Sequence, residues 1–327
     1  MKVRALLAAL GVRKRGLREE FDHRVEKQLA ALGRPSGLRL ALGRRKGRRA
    51  FKKLLERDPE FYVLYRGAAI SATWLSAIAV AILNDLGQEK ESPDEAVAPE
   101  QAAALAFFSR LANDLFAIIE LVERGFDLQA RGLARSFLEH VDVLICCIHD
   151  RELTEKFVNA REPNETNQFW HQHISKNKIK RRVSELIAAK IGLRHSTIVD
   201  DQRAGADEAS SAILHPTIIS GFIVAFGDED VDYDNNYPVF PQPISASGTI
   251  FRTILVHLFW LFLMMGPLPR DPHGAWGVLI REGALRRNAV LGALIQVNQD
   301  MHGFMLDWQV TMRAAGDADG ALSASSF

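Results

Sequence analysis

Two long stretches without a single Lys, Arg, Asp or Glu constrain this chain most: 18 residues at 67–84, GAAISATWLSAIAVAILN, and 17 at 253–269, TILVHLFWLFLMMGPLP. An α-helix rises about 1.5 Å per residue, so each run stands near the minimum length for crossing a bilayer. In a soluble chain the same runs must be buried on nearly every side, as central helices of a large bundle. The first is diluted by Ser71, Thr73, Ser76 and several alanines, and the second carries His257 and ends in prolines. Both features favour core helices over membrane spans, with a membrane-associated protein as the alternative.

The rest of the chain has helical periodicity and no run of alternating strands, so the expected class is all-α. Leu17, Phe21, Val25 and Leu29 recur every four residues in an amphipathic helix that stops near Gly33-Arg34-Pro35. A helix over 51–57 follows a basic connector, and Asp58-Pro59 opens a long apolar helix to Leu86, with Gly87 as its cap. The acidic segment 88–100, QEKESPDEAVAPE, is the expected boundary. It divides a basic, helical region 1–87 from a helical bundle domain over 101–315, with a flexible tail at 316–327. Pro99 suits the first turn of a helix reaching Arg124, and Gly125 stops it. Further helices are expected over 125–150, 153–160, 166–191, 206–226 (kinked at Pro216) and 249–265. A turn is expected at Pro163-Asn164 and a long loop over 227–247.

The formal net charge of +1 conceals an asymmetry. Residues 1–60 hold 18 Lys/Arg against 7 Asp/Glu, and 34–57 hold ten Lys/Arg opposed only by Glu56. Such a block suits a polyanion, and its candidate nucleic-acid contacts are Arg44, Arg45, Lys46, Arg48, Arg49, Lys52 and Lys53. Phe51 is its one aromatic, which favours tracking phosphates over reading bases. RNA, an anionic lipid surface or the chain's own acidic stretches could each answer this charge. The apolar centre of MKVRALLAALGVRKR is short and lacks a small-residue cleavage site, so no secretory signal is expected. Cys146 and Cys147 are adjacent in the apolar run VLICCI, badly placed to bridge each other, and suit a reducing cytoplasm.

In GFDLQARGLARSFLEH, residues 125–140, Arg131, Arg135 and Glu139 recur at spacing four and fall near one helix face. The pattern G-x4-A-x2-L-x-R-S-x2-E, carried by Gly125, Ala130, Leu133, Arg135, Ser136 and Glu139, resembles a bacterial all-helical domain family of unknown function. Asp150 and Phe157 in HDRELTEKF, and Ser211 with His215-Pro216, resemble its later elements, so the likeness spans 105–225. The arrangement is similar to the broader HEPN group, many of whose members are metal-independent ribonucleases, toxins or phage-defence effectors. That group's motif is Arg, four to six residues, then His, and Arg135 and His140 meet the spacing.

The resemblance implies a HEPN-like bundle, RNA as partner, a homodimer, and a catalytic set of Arg135, Glu139 and His140, with His215 as a substitute base. In that chemistry a histidine takes the 2′-hydroxyl proton while an arginine stabilises the attacked phosphate. Ser136 stands where the group has Asn, Asp or His. Residues five apart on a regular helix also diverge by about 140°, so the pair could cooperate only at an irregular helix start or across a dimer interface. The structural alternative is an Arg135–Glu139 pair that fixes helices in register, with Arg131 as a solvated flank and the protein a non-catalytic binding or assembly module. His171 and His173 form H-x-H, but histidines two apart on a helix face different sides and no Cys or carboxylate cluster is near, so no metal site is expected. No Walker loop, GxGxxG, GxSxG or HExxH occurs, and no cofactor is expected.

Overall fold

The computed structural model describes residues 48–88, 97–214, 243–265, 279–280, 291–293, 295 and 297–303, with side chains except at 88 and 205–214. The described residues are overwhelmingly helical and include no strand, so the fold is all-α. The predicted helix on Leu17–Leu29, the cations Arg44, Arg45 and Lys46, His215 with Pro216, and most of the 227–247 loop lie outside the described residues.

Local chemistry sets most helix ends. Helix α1 (48–57) gives way to α2 (Pro59–Gln88) at Asp58, whose Oδ1 accepts the Phe61 N–H at 2.9 Å. That carboxylate satisfies an orphan donor of the first turn, and Pro59 loses nothing there because its missing N–H would have had no partner. Helix α3 (Pro99–Glu123) starts on its proline and ends in a left-handed Gly125 (φ 78). The Phe126 N–H reaches back to Leu121 O at 2.8 Å and the Gly125 N–H to Val122 O at 3.0 Å, a Schellman closure. Helices α4 (Asp127–His149) and α5 (Arg151–Asn159) meet at Asp150, which accepts the Leu153 N–H at 2.9 Å.

Four expectations change. Gly87 lies inside the last turn of α2 rather than beyond it. Pro163 opens a helix instead of a turn: α6 (Pro163–Phe169) is held by a capping box between Glu162 and Glu165. The single helix expected over 166–191 is broken. A π-helical turn (Trp170–Ile174) and two left-handed residues, Lys176 (φ 57) and Asn177 (φ 60), precede α7 (Lys178–Lys190). Helix α8 (Leu193–Leu214) begins well before residue 206, released from α7 by Gly192 at φ 127. A 3-10 turn (Ser245–Ser247) then leads into α9 (Gly248–Met265), and 297–303 form α10.

Ring contacts and hydrogen bonds give the directions. Phe61 and Tyr65 meet Phe251, and Trp74 meets Phe262, so α9 runs parallel to α2. Tyr65 donates to Glu123 and Gln101 to Asp85, so α3 runs antiparallel to α2. Arg131 reaches Ala246 and Thr249 while His149 reaches Met264, which makes α4 parallel to α9 as well. These four helices form the centre. Helices α7 and α8 pack on α4, and α5 packs on α3 and α4.

The buried face of α2 contributes Phe61, Leu64, Trp74, Leu75, Ile78 and Ile82 to the same core cluster as Phe107, Phe108, Leu111 and Leu115 of α3. Each such side chain stabilises the fold by about 1.5–3 kcal/mol on burial. Helices on the two sides of the 88–100 segment therefore share one core.

Three segments, Pro59–Gly87, Pro99–Glu123 and Ser245–Met265, are long and apolar enough to cross a membrane by length and composition. The third is buried on most of its circumference by the other helices. The outer faces of the first two carry Arg66, Thr73 and Asn84, and Arg110, Asn113 and Glu120.

Candidate functional site

The N-terminal half of α4 divides its charged residues between two tasks. Arg131 is only 8% exposed. Its Nε donates to Asp127 Oδ2 at 2.7 Å, Nη1 to Thr249 Oγ1 at 3.2 Å and Nη2 to Ala246 O at 3.0 Å. Ser247 Oγ completes the set by donating to the other Asp127 oxygen at 2.7 Å. Arg131 is thus no solvated flank. Burial would be prohibitive for a lone guanidinium, and the carboxylate with two oxygen acceptors makes it tolerable.

Arg135 is exposed and has no ion-pair or hydrogen-bond partner among the described residues, so the expected Arg135–Glu139 pair does not form. Glu139 and His140 are half-buried. His140 Nδ1 lies 2.6 Å from the Ser136 carbonyl oxygen, which cannot donate. The ring therefore donates from Nδ1, and in the neutral imidazole the lone pair is left on Nε2. His257 makes the same bond to Thr253 O at 2.8 Å, so this geometry is an ordinary helical one. Arg135 and His140 remain five positions apart on a regular helix and point about 140° apart around it.

From His140 a ladder of buried and half-buried rings runs between the helices. Its ring is 6.2 Å from Phe107, Phe107 stacks on Phe157 at 4.7 Å, Phe157 meets Phe169 at 5.7 Å, and Phe169 meets His173 at 5.1 Å. The ladder seats the π-helical turn against the α3–α4–α5 side of the molecule. H-x-H thus falls in this turn and not on a regular helix. Burial, with the nearby Lys156 and Lys178 charges, lowers the pKa of His173 and favours its neutral form.

Of the predicted nucleic-acid contacts, Arg48, Arg49, Lys52 and Lys53 are all exposed on α1, over a buried Phe51 and Leu54. Lys52 alone of the four has an ion pair among the described residues, with Glu56 at 3.7 Å. A second cationic surface escaped the sequence reading. Residues 176–182, KNKIKRR, hold five Lys/Arg and no acid two residues beyond Trp170-His171-Gln172-His173. The signal was present in composition but was hidden by reading 166–191 as one helix.

The far half of α4 is structural. Asp142, Cys146 and Asp150 recur at spacing four. Asp142 pairs with buried Arg203 of α8, and Asp150 with Arg182 of α7. Both thiols are free and buried, and desolvation pushes both pKa values up, that of Cys147 to about 12. Among the described residues no group of three or more His, Cys, Asp or Glu is placed to hold a metal ion. No family model, curated protein or solved structure matches this chain.

Proposed function

We propose that this chain is a HEPN-like helical protein that binds RNA. The observation that carries this reading is the outward face of α1, where Arg48, Arg49, Lys52 and Lys53 are exposed over a buried apolar face and, among the described residues, only Lys52 is ion-paired. Such an array attracts a phosphate backbone without regard to sequence, by releasing its counterions. The setting is the cytoplasm, with which two free, buried thiols are consistent. A toxin or phage-defence role comes from the HEPN resemblance alone.

Cleavage is the enzymatic form of the proposal, with His140 as its base. With Nδ1–H held by the Ser136 carbonyl, Nε2 is the nitrogen that can accept a 2′-hydroxyl proton, while the exposed Arg135 guanidinium supplies charge for the phosphate. The divergence of the two side chains requires Arg135 of one copy to work with His140 of another, hence a homodimer. The rival readings are a non-catalytic assembly module and a membrane-associated protein. The outer faces of α2 and α3 mix exposed Val80, Leu83 and Phe116 with Arg66, Arg110 and Glu120, and those three charges argue against the membrane reading.

The test is RNA binding and cleavage in EDTA by wild type, Arg135→Ala, His140→Ala and an equimolar mixture of the two variants. Cleavage lost in each variant and partly restored by mixing supports a shared site between two copies. Binding without cleavage in wild type reduces the reading to an RNA-binding module. Failure to bind RNA at low salt removes it.

A further inference from the structure

We propose that Trp170–Arg182, the π-helical turn and the first turn of α7, is a surface for single-stranded RNA, with Trp170 stacking on a base and Lys176 and Arg181 holding neighbouring phosphates. This rests on the RNA reading above and locates its base-contacting surface, which the α1 face lacks.

Trp170 is 44% exposed, although an indole is usually well covered. Its exposure is built in. The Ser175 N–H donates to Trp170 O at 2.9 Å, closing an i to i+5 turn that carries one extra residue and turns the indole away from the core. Ser175 Oγ and Lys178 Nζ both donate to His171 O, at 2.9 and 2.8 Å, and Lys178 Nζ also reaches Gln172 O at 3.1 Å. The turn is therefore preorganised by its own chain, so little further ordering is needed on binding.

The charges are sorted in the same way. Lys178 is committed to the turn and Arg182 to Asp150, while Lys176 and Arg181 are exposed and have no ion-pair partner among the described residues. Lys176 and Asn177 both adopt left-handed backbone, a conformation that Asn enters readily and Lys rarely.

An exposed indole and exposed cations on one short segment are what a single strand recognises, since every base offers a π-face and every step a phosphate. A bilayer would favour several apolar side chains inserted together, whereas Phe169 is buried and the exposed sequence neighbours of Trp170 are Asn167, Gln168, His171 and Gln172. An acidic peptide would use the cations but has no base for the indole.

The experiment is fluorescence anisotropy of the full chain with a labelled 20-nucleotide oligouridine, at several salt concentrations. The variants are Trp170→Ala, Trp170→Phe and Lys176→Glu/Arg181→Glu, with circular dichroism as the folding control. We expect Trp170→Ala to weaken binding about tenfold and Trp170→Phe to recover most of it. The charge variant should weaken binding and flatten the slope of log K against log salt by about 1.4, two phosphates at roughly 0.7 each. Wild type that binds oligouridine with affinity unchanged in Trp170→Ala overturns this surface and leaves the RNA reading standing. Wild type that binds no RNA overturns both. A Trp170→Ala loss as large for heparin, which has no bases, or tighter binding to phosphatidylserine vesicles than to oligouridine, also overturns the stacking assignment.

Discussion

Arg131 and Asp127, one turn apart on α4, form a buried ion pair at 2.7 Å that also fastens the start of α9, through Ala246, Ser247 and Thr249. Removing one partner leaves the other charge buried and alone, which costs about 3–5 kcal/mol. Arg131→Met should lower the urea midpoint accordingly, and Asp127→Leu/Arg131→Met should recover part of the loss. A single variant as stable as wild type would show that the pair does not hold α9.

Arg135 and Glu139 should behave in the opposite way. Arg135 touches nothing charged among the described residues, so Arg135→Ala should change stability by no more than about 0.5 kcal/mol. Chemical denaturation beside the cleavage assay separates the outcomes. A large stability loss would return Arg135 to a structural role and make any loss of activity uninformative.

Gly67 of α2 packs tightly against side chains of α9 and α10. A Cβ there would come within 3.0 Å of Leu255 Cδ1 and 3.2 Å of Met301 Sδ. Both atoms belong to flexible side chains that can give by a few tenths of an ångström, and Ala is favoured over Gly inside a helix by about 0.5–1 kcal/mol, so Gly67→Ala should shift stability by only about 1 kcal/mol, and Met301→Ala in the same chain should relieve the crowding. Thermal melts of the single and double variants measure this coupling.

Acid should loosen the fold through two histidines. Burial lowers the pKa of His302 to about 4, and burial with the Lys190 charge lowers that of His149 to about 4. A depressed folded-state value means the unfolded chain takes up the proton first. Stability is therefore complete above the ordinary pKa of 6.5 and falls as pH drops towards 4. For His302 the loss should be on the order of 2–3 kcal/mol, less in practice if the core admits water. Urea midpoints at pH 7.5 and pH 5 should differ less in His302→Leu than in wild type. Equal differences would remove His302 from the account.

Cys146 and Cys147 should be inert in the folded protein, because burial pushes both thiols far from thiolate formation at neutral pH. Labelling by a thiol reagent at pH 8 should be slow in native conditions and fast in guanidinium chloride. Fast native labelling would show that the α4–α8 contact opens readily.

The helix stops at Asp58-Pro59, Pro99 and Gly125 were readable because each acts through its own backbone: a carboxylate accepts a first-turn N–H, a proline tolerates losing one, and a glycine enters the left-handed region. The apolar runs at 67–84 and 253–269 determined that α2 and α9 would be helices and would be covered. Spacing placed Arg131, Arg135, Glu139 and His140 on one helix but could not say which charge faces the core. That depended on where Ala246, Ser247 and Thr249 arrive, more than a hundred residues later. The π-helical turn, which exposes Trp170 and displaces the cations after it, also lacked a local signal. One extra residue in a helix costs little in pattern, and the Phe157–Phe169–His173 contacts that seat it are tertiary. Local backbone preference and apolar periodicity therefore determined the elements, while burial, which depends on distant parts of the chain, decided which charged residues became structure and which were left facing solvent.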